Sequence, residues 1–211
     1  MLIAILLVLA YLIGSIPSAV WISKWVFGMD IREHGSGNAG ATNCFRVLGS
    51  KAGSAVMLMD MLKGFLAVKL VLFSGLPHYW EAYRNLEVFL GLASVLGHIF
   101  PIWAEFRGGK GIATLFGMIL SIQPAVAVSL VAVFFCMLYL TRYVSLSSIT
   151  ASIAFPVMIV FIFNAHELSY KLFAIATAFL VVLTHYKNIS RLINGNESKV
   201  GFFRKKKDRH H

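Results

Sequence analysis

The chain is dominated by a succession of apolar stretches, most of them too long for the strands or loops of a soluble domain. They run Leu2–Val26, Ser54–Phe73, Val88–Trp103, Gly111–Ile122, Ala125–Leu140, Ser147–Phe163 and Leu172–Thr184. A helix of about 17–25 apolar residues crosses the hydrocarbon of a bilayer. Only helices and closed barrels satisfy their backbone there. The expectation is an all-α integral membrane protein with about seven transmembrane helices. The third, fourth and fifth stretches are short, and Gln123-Pro124 leaves the fourth little length. A five-helix alternative lays the fourth and fifth as one broken hairpin. Composition agrees: 13% of residues are charged, where a soluble domain carries about 25%. Met1–Val26 has no basic n-region and no small-residue cleavage site, so it is read as a retained helix rather than a signal peptide.

Lysine and arginine orient these helices. Arg32, Arg46 and Lys51 follow the first stretch, with Lys24 and Lys63 flanking them; Arg107 and Lys110 follow the third, and Arg142 the fifth. Lys187, Arg191, Lys199 and the run Arg204–Lys207 follow the last. The alternate loops have Arg84 and Lys171 near them, with Glu81, Glu87 and Glu167. The N-terminus is therefore expected outside and the C-terminus in the cytoplasm. The net charge of +10 would suggest nucleic acid on a soluble chain. Its confinement to one set of loops points instead to topology signals and anionic ligands, and no nucleic acid is expected. Residues 1–198 read as one polytopic domain. Residues 199–211 read as a basic tail, either disordered or lying on anionic headgroups, with His210-His211 set aside as a tag remnant.

Polar residues cluster in three patches on the cytoplasmic side. A carrier more often shows them at mid-membrane on several helices; here the main ionisable pair within a helix is Asp60 and Lys63, at ion-pairing i,i+3 spacing. Lys69 is placed to snorkel outward.

The first patch is Glu33-His34-Gly35-Ser36-Gly37-Asn38-Ala39-Gly40-Ala41-Thr42-Asn43, followed by Arg46. Small and polar residues here permit turns whose N–H groups form a concave anion site. It matches G-x-G-x-x-G, but no strand precedes it, which excludes a dinucleotide fold. The second, Arg107-Gly108-Gly109-Lys110-Gly111, leads into an apolar helix. It fails the Walker pattern, because Ala104 and Gly111 stand where glycine and Ser/Thr are needed. Free N–H groups, a helix N-terminus and Lys110 still suit a phosphate. Glu105 is read as orienting Lys110 or solvating the turn. His98, within Gly97-His98-Ile99-Phe100-Pro101, reads as a buried, hydrogen-bonded histidine or as a group that supports the site from behind. The third patch sets His185 and Asn188 on one helical face, ahead of Arg191 and Glu197. Two cysteines exclude a disulfide framework. Cys136 reads as packing, and no pattern supports Cys44 as a catalytic thiol. His34, His98 and His185 form no metal-ligand spacing, so neither metal nor cofactor is expected.

Together the three patches resemble one family, the bacterial acyl-phosphate:glycerol-3-phosphate acyltransferases (PlsY family). The likeness covers nearly the whole chain up to Val200 and departs at Arg107, where lysine is usual. It implies transfer of a fatty acyl group from acyl phosphate to the 1-hydroxyl of glycerol 3-phosphate, giving lysophosphatidic acid and phosphate, the first step of phospholipid synthesis. Neither acyl-CoA nor acyl carrier protein is the implied donor. It also implies the bacterial cytoplasmic (inner) membrane, a site facing the cytoplasm, contact with membrane lipids, and a soluble acyl-phosphate-producing partner. On this reading Ser36, Asn38, His185 and Asn188 are the catalytic candidates. Arg46, Thr42, Asn43, Gly108, Gly109, Lys110, Gly111, Ser145 and Glu197 are the substrate-binding candidates. Ser36, Asn38, Thr42 and Asn43 line the reacting centre, Ser145 adds a hydrogen bond, and the N–H groups of Gly108–Gly111 meet phosphate. His185 and Asn188 orient the hydroxyl or take its proton. Direct attack is preferred to an acyl-Ser36 enzyme, because Ser36 has no His–Asp relay in sequence. A transporter of anions or phosphate esters is the alternative, and a structural membrane subunit a third class.

Overall fold

The computed structural model describes residues 1–165 and 167–200. Every expected apolar stretch is helical in it, and the described residues contain no strand. The first stretch is two helices, α1 (Leu2–Gly14) and α2 (Ser18–Phe27). Pro17 stands at the break, where it offers no N–H and its ring opposes continuation of α1. Gly28 then closes α2 in the left-handed conformation, with φ 66°. Further on come the short α3 (Ala41–Val47), α4 (Ser50–Lys69) and α5 (Glu81–Ile99). α6 (Ile112–Ile122) and α7 (Pro124–Thr141) meet at Gln123, where extended backbone and Pro124 make two separate helices. α8 (Val144–Val157) carries Pro156 and runs into a π-helical turn, Met158–Ile162. α9 (Leu168–Thr184) and α10 (Tyr186–Ile193) close the described fold.

Length and composition support fewer crossings than the sequence suggested. Leu2–Phe27, Glu81–Ala104, Pro124–Thr141 and Val144–Ile162 are long and apolar enough to span a bilayer. The α9–α10 pair, bent by 61°, makes a fifth if taken as one span. α6 has only 11 residues, and α4 interrupts its apolar face with Asp60, Lys63 and Lys69. α5 begins earlier than expected because its first turns are polar: Arg84 pairs there with Glu167 ahead of α9.

α4 is the hub. It packs most extensively on α6, and α1, α3 and α5 also lie against it. Gly64 and Gly117 make the α4–α6 crossing possible, since a Cβ on either would collide with backbone of the other helix, at Thr114 and Met61. α7, α8 and α9 form a second group, centred on Phe155 packed against Tyr170 and Phe173. Outward faces carry large apolar side chains: Leu58 is 60% exposed, Phe161 79% and Phe179 66%. In water such faces would associate; in a bilayer they meet lipid.

Lys69 does not reach outward. Its Nζ donates to Ser121 O at 3.3 Å and stands over the Phe65 ring. The Asp60–Lys63 pair forms, at 2.9 Å.

Candidate active site

The second patch is shaped by how α5 ends. Glu105 and Phe106 adopt left-handed backbone, and the chain folds back along the helix it has just left. Gly108 N–H donates to Ile99 O at 3.1 Å and Gly109 N–H to His98 O at 3.2 Å. These two N–H groups are therefore spent on the end of α5, which corrects the expectation that they meet a phosphate. Gly109 is needed for closeness instead: a Cβ there would strike the His98 ring and the Ala39 carbonyl. The N–H groups of Lys110 and Gly111 donate to no backbone carbonyl among the described residues. Gly111, at φ 80°, turns the chain into α6, so these groups share the electropositive end of that helix.

Lys110 connects the second patch to the third. Its Nζ donates to Asn188 Oδ1. Asn188 Nδ2 in turn donates to Glu197 Oε1 at 2.7 Å, and Ser145 Oγ donates to the same oxygen at 2.7 Å. Arg191 Nε holds Glu197 Oε2 at 2.6 Å. Val200 N–H donates to Arg142 O, pinning the segment after α10 against the start of α8. Glu197 thus has three side-chain donors on its two oxygens. Burial pushes its carboxyl up, but the bonds from Arg191, Asn188 and Ser145 outweigh that and hold it below the usual range. An ionised carboxylate so occupied is no phosphate ligand. Glu197 and Ser145, both expected as substrate contacts, are here hydrogen-bonded to each other, and Glu197 also holds Asn188 and Arg191. Burial, opposed by Glu197 and reinforced by Arg191 and Arg46, lowers the Lys110 ammonium to about 8.

His185 sits at the bend between α9 and α10 and is 2% exposed. Its Nδ1 lies 2.8 Å from Val181 O. A carbonyl only accepts, so Nδ1 carries the hydrogen and Nε2 presents a lone pair. Burial, then the Lys110 charge, depress the imidazole to about 4. It is neutral at physiological pH and a weak proton acceptor.

The first patch is a braced loop. Asp30 Oδ1 accepts from Arg32 N–H and Nε, and Arg32 holds the Asp30 carboxyl far below its ordinary range. The same guanidinium donates to Ala104 O at 3.1 Å, tying the first loop to the second. Glu105 lies 3.9 Å from Arg32 and is exposed, so it does not orient Lys110. Asn43, expected at the reacting centre, is buried and fully engaged: Nδ2 donates to Ile31 O and His34 O, and Oδ1 accepts from Ser36 N–H. It sets the shape of the loop. Ser36, Thr42 and Arg46 are exposed and Asn38 is half-buried. Cys44 is buried, and burial followed by the Asp60 charge pushes its thiol up to about 11, which makes it a poor nucleophile.

Sequence reasoning placed Arg32 only as a topology signal. The acidic residue two positions before it, Asp30, was the available sign that it had a fixed partner. The bracing role of Asn43 carried no such sign, because its partners are main-chain groups.

The glycerol-3-phosphate acyltransferase family profile matches residues 4–195. A glycerol-3-phosphate acyltransferase of Bacillus velezensis is 46% identical over 203 residues, covering 96% of this chain and all of that protein. One of Fusobacterium nucleatum is 45% identical over 198 residues, covering 93% and 97%. Two crystal structures of PlsY, an integral membrane glycerol 3-phosphate acyltransferase, superpose on most of the fold. The glycerol 3-phosphate form gives a TM-score of 0.85 at 37% identity, covering 94% of this chain and 96% of that one. The lysophosphatidic acid form gives 0.82 at 36% identity, covering 94% and 95%.

Proposed function

The chain belongs to the glycerol-3-phosphate acyltransferase family, and from that premise we propose that it acylates glycerol 3-phosphate at the 1-hydroxyl with acyl phosphate as donor. The hydroxyl oxygen attacks the acyl carbonyl carbon, and the bond from that carbon to the phosphate oxygen breaks. The hydroxyl proton leaves with the phosphate, and lysophosphatidic acid remains. An acyl phosphate is a mixed anhydride and needs no further activation.

The observation that carries this reading is the Lys110–Asn188 hydrogen bond. It joins the second and third patches, where a cation, an amide and the Nε2 lone pair of His185 serve a substrate with one phosphate and one nucleophilic hydroxyl. Lys110 and Arg46 bind phosphate charge, aided by the free N–H groups at Lys110 and Gly111. Ser36, Asn38 and Thr42 face the reacting carbonyl and donate to its developing oxyanion. Asn188 and His185 orient the hydroxyl, and the donor's own phosphate takes the proton. Ser145, Glu197 and Asn43 act through the groups they hold.

Residues 1–198 form the catalytic membrane unit, with about seven membrane-embedded helices and the N-terminus outside. The three patches face the cytoplasm of a bacterial inner membrane, where soluble glycerol 3-phosphate meets a lipid-borne donor. A soluble enzyme that makes acyl phosphate is the natural partner. Positions from 201 on, including most of the basic tail, lie outside the described residues.

The purified protein, given palmitoyl phosphate and labelled glycerol 3-phosphate, is expected to release lysophosphatidic acid and phosphate in equal amounts and to ignore palmitoyl-CoA. Activity with the CoA donor would overturn the donor assignment. Silence with both, from folded protein, would overturn the reaction and direct the test to phosphate-ester flux in sealed vesicles.

A further inference from the structure

Three ionisable side chains that this reaction does not use are buried together beneath the second patch. Asp60 and Lys63 of α4 are 2% and 5% exposed, and His98 of α5 is 6% exposed. Asp60 Oδ1 accepts from Lys63 Nζ at 2.9 Å and from Ser18 Oγ at 3.0 Å. His98 Nδ1 lies 3.5 Å from the same oxygen and makes no hydrogen bond of good geometry. Lys63 Nζ also donates to Ile16 O at 3.0 Å, in the break between α1 and α2. These side chains line one small cavity whose other walls include Ala39, Gly108 and Gly109.

A buried ion pair is weak evidence for stability. Removing two charges from water costs about as much as their attraction returns, and well-packed apolar residues of similar volume often serve equally well. Apolar side chains cannot, however, reach a chosen carbonyl or hydroxyl and fix its direction. Here each polar contact runs to a different segment: Ser18 begins α2, Ile16 lies in the break, and His98 is the last residue but one of α5. His98 then meets the second patch twice. Its carbonyl accepts from Gly109 N–H, and its ring lies where a Gly109 Cβ would stand. The residue after Gly109 is Lys110.

We propose that Asp60 and Lys63 are a positioning pair: with Ser18 and His98 they lock the floor on which Gly108 and Gly109 rest, so that Lys110 is presented to the substrate phosphate. The identity of that phosphate rests on the acylation reading; the positioning does not.

The test compares wild type with Asp60→Leu/Lys63→Met, which removes both charges together. Thermal midpoint, steady-state kinetics and amide hydrogen exchange of residues 107–109 are measured in one detergent. The variant is expected to fold with a midpoint close to wild type. Its kcat/KM for glycerol 3-phosphate should fall at least tenfold, mostly through KM, and the hydrogen-bonded amides of Arg107, Gly108 and Gly109 should exchange at least tenfold faster. A folded variant with wild-type kinetics and exchange would overturn the proposal. If the double variant fails to fold, Ser18→Ala and His98→Gln decide. Each should change both readouts by threefold or more at an unchanged midpoint, and wild-type behaviour in both overturns it. If wild type itself makes no lysophosphatidic acid, the acylation reading fails and exchange alone decides, with unchanged 107–109 exchange in the folded variants counting against positioning.

Discussion

At the scale of single residues, the site places two basic side chains whose environments weaken their hold on a proton. Lys110 is charged below about 8 and neutral above it. Log kcat/KM for glycerol 3-phosphate is therefore expected to be level up to about pH 8 and to fall as pH rises further, because the charged form is the one that binds phosphate. Lys110→Arg should move that limb beyond the accessible range, since a guanidinium keeps its proton; an unchanged limb in that variant would assign it to another group. His185, depressed to about 4, stays neutral between pH 5 and 8. Activity should show no loss near pH 6 from this group. His185→Ala should lower kcat by about tenfold, as expected for one orienting hydrogen bond. A loss of about 10²–10⁴-fold would instead make His185 an essential base.

At the scale of elements, two loops are held by side chains that do no chemistry. Asn43 makes three hydrogen bonds that shape the loop between α2 and α3. Each is worth about 1 kcal/mol, so Asn43→Ala should lower stability by about 2–3 kcal/mol in a detergent unfolding assay, and activity should fall with it. Gly109→Ala asks for space that the His98 ring and Ala39 occupy. It should reduce kcat/KM at least tenfold without unfolding the protein, whereas Gly28→Ala, with nothing near its Cβ position, should cost only the strain of its left-handed φ. Equal activity in the Gly109 variant and wild type would mean that the two loops part more easily than their packing indicates.

At the scale of the whole molecule, the fold brings its three polar patches together at one end of the helices while leaving apolar flanks to the bilayer. Orientation is open to direct measurement. In a chain carrying single cysteines, positions in the α4–α5 connection, such as Pro77, should react with an impermeant thiol reagent from outside intact cells. Asn194, after α10, should react only once the membrane is opened, and the reverse result would invert the molecule. Cys44 and Cys136 should be removed first, although the buried Cys44 thiol should itself be unreactive.

The sequence alone determined the helical membrane class, the seven helical stretches and the three polar motifs between them. All are local: apolar length decides helix in a bilayer, and clusters of glycine, asparagine and lysine stand out between apolar stretches by their own chemistry. Only the tertiary structure decided how those residues are used. The N–H groups of Gly108 and Gly109 read as phosphate donors until the chain folds back and gives them the carbonyls of α5. Nothing in the sequence marks the partners of Glu197 and Asn43, which are distant in the chain or belong to the main chain. Asp60 and Lys63 read as a local helix pair until Ser18, Ile16 and His98 converge on them. A side chain's type fixes which bonds it makes; which neighbours claim those bonds depends on contacts between segments far apart in the chain.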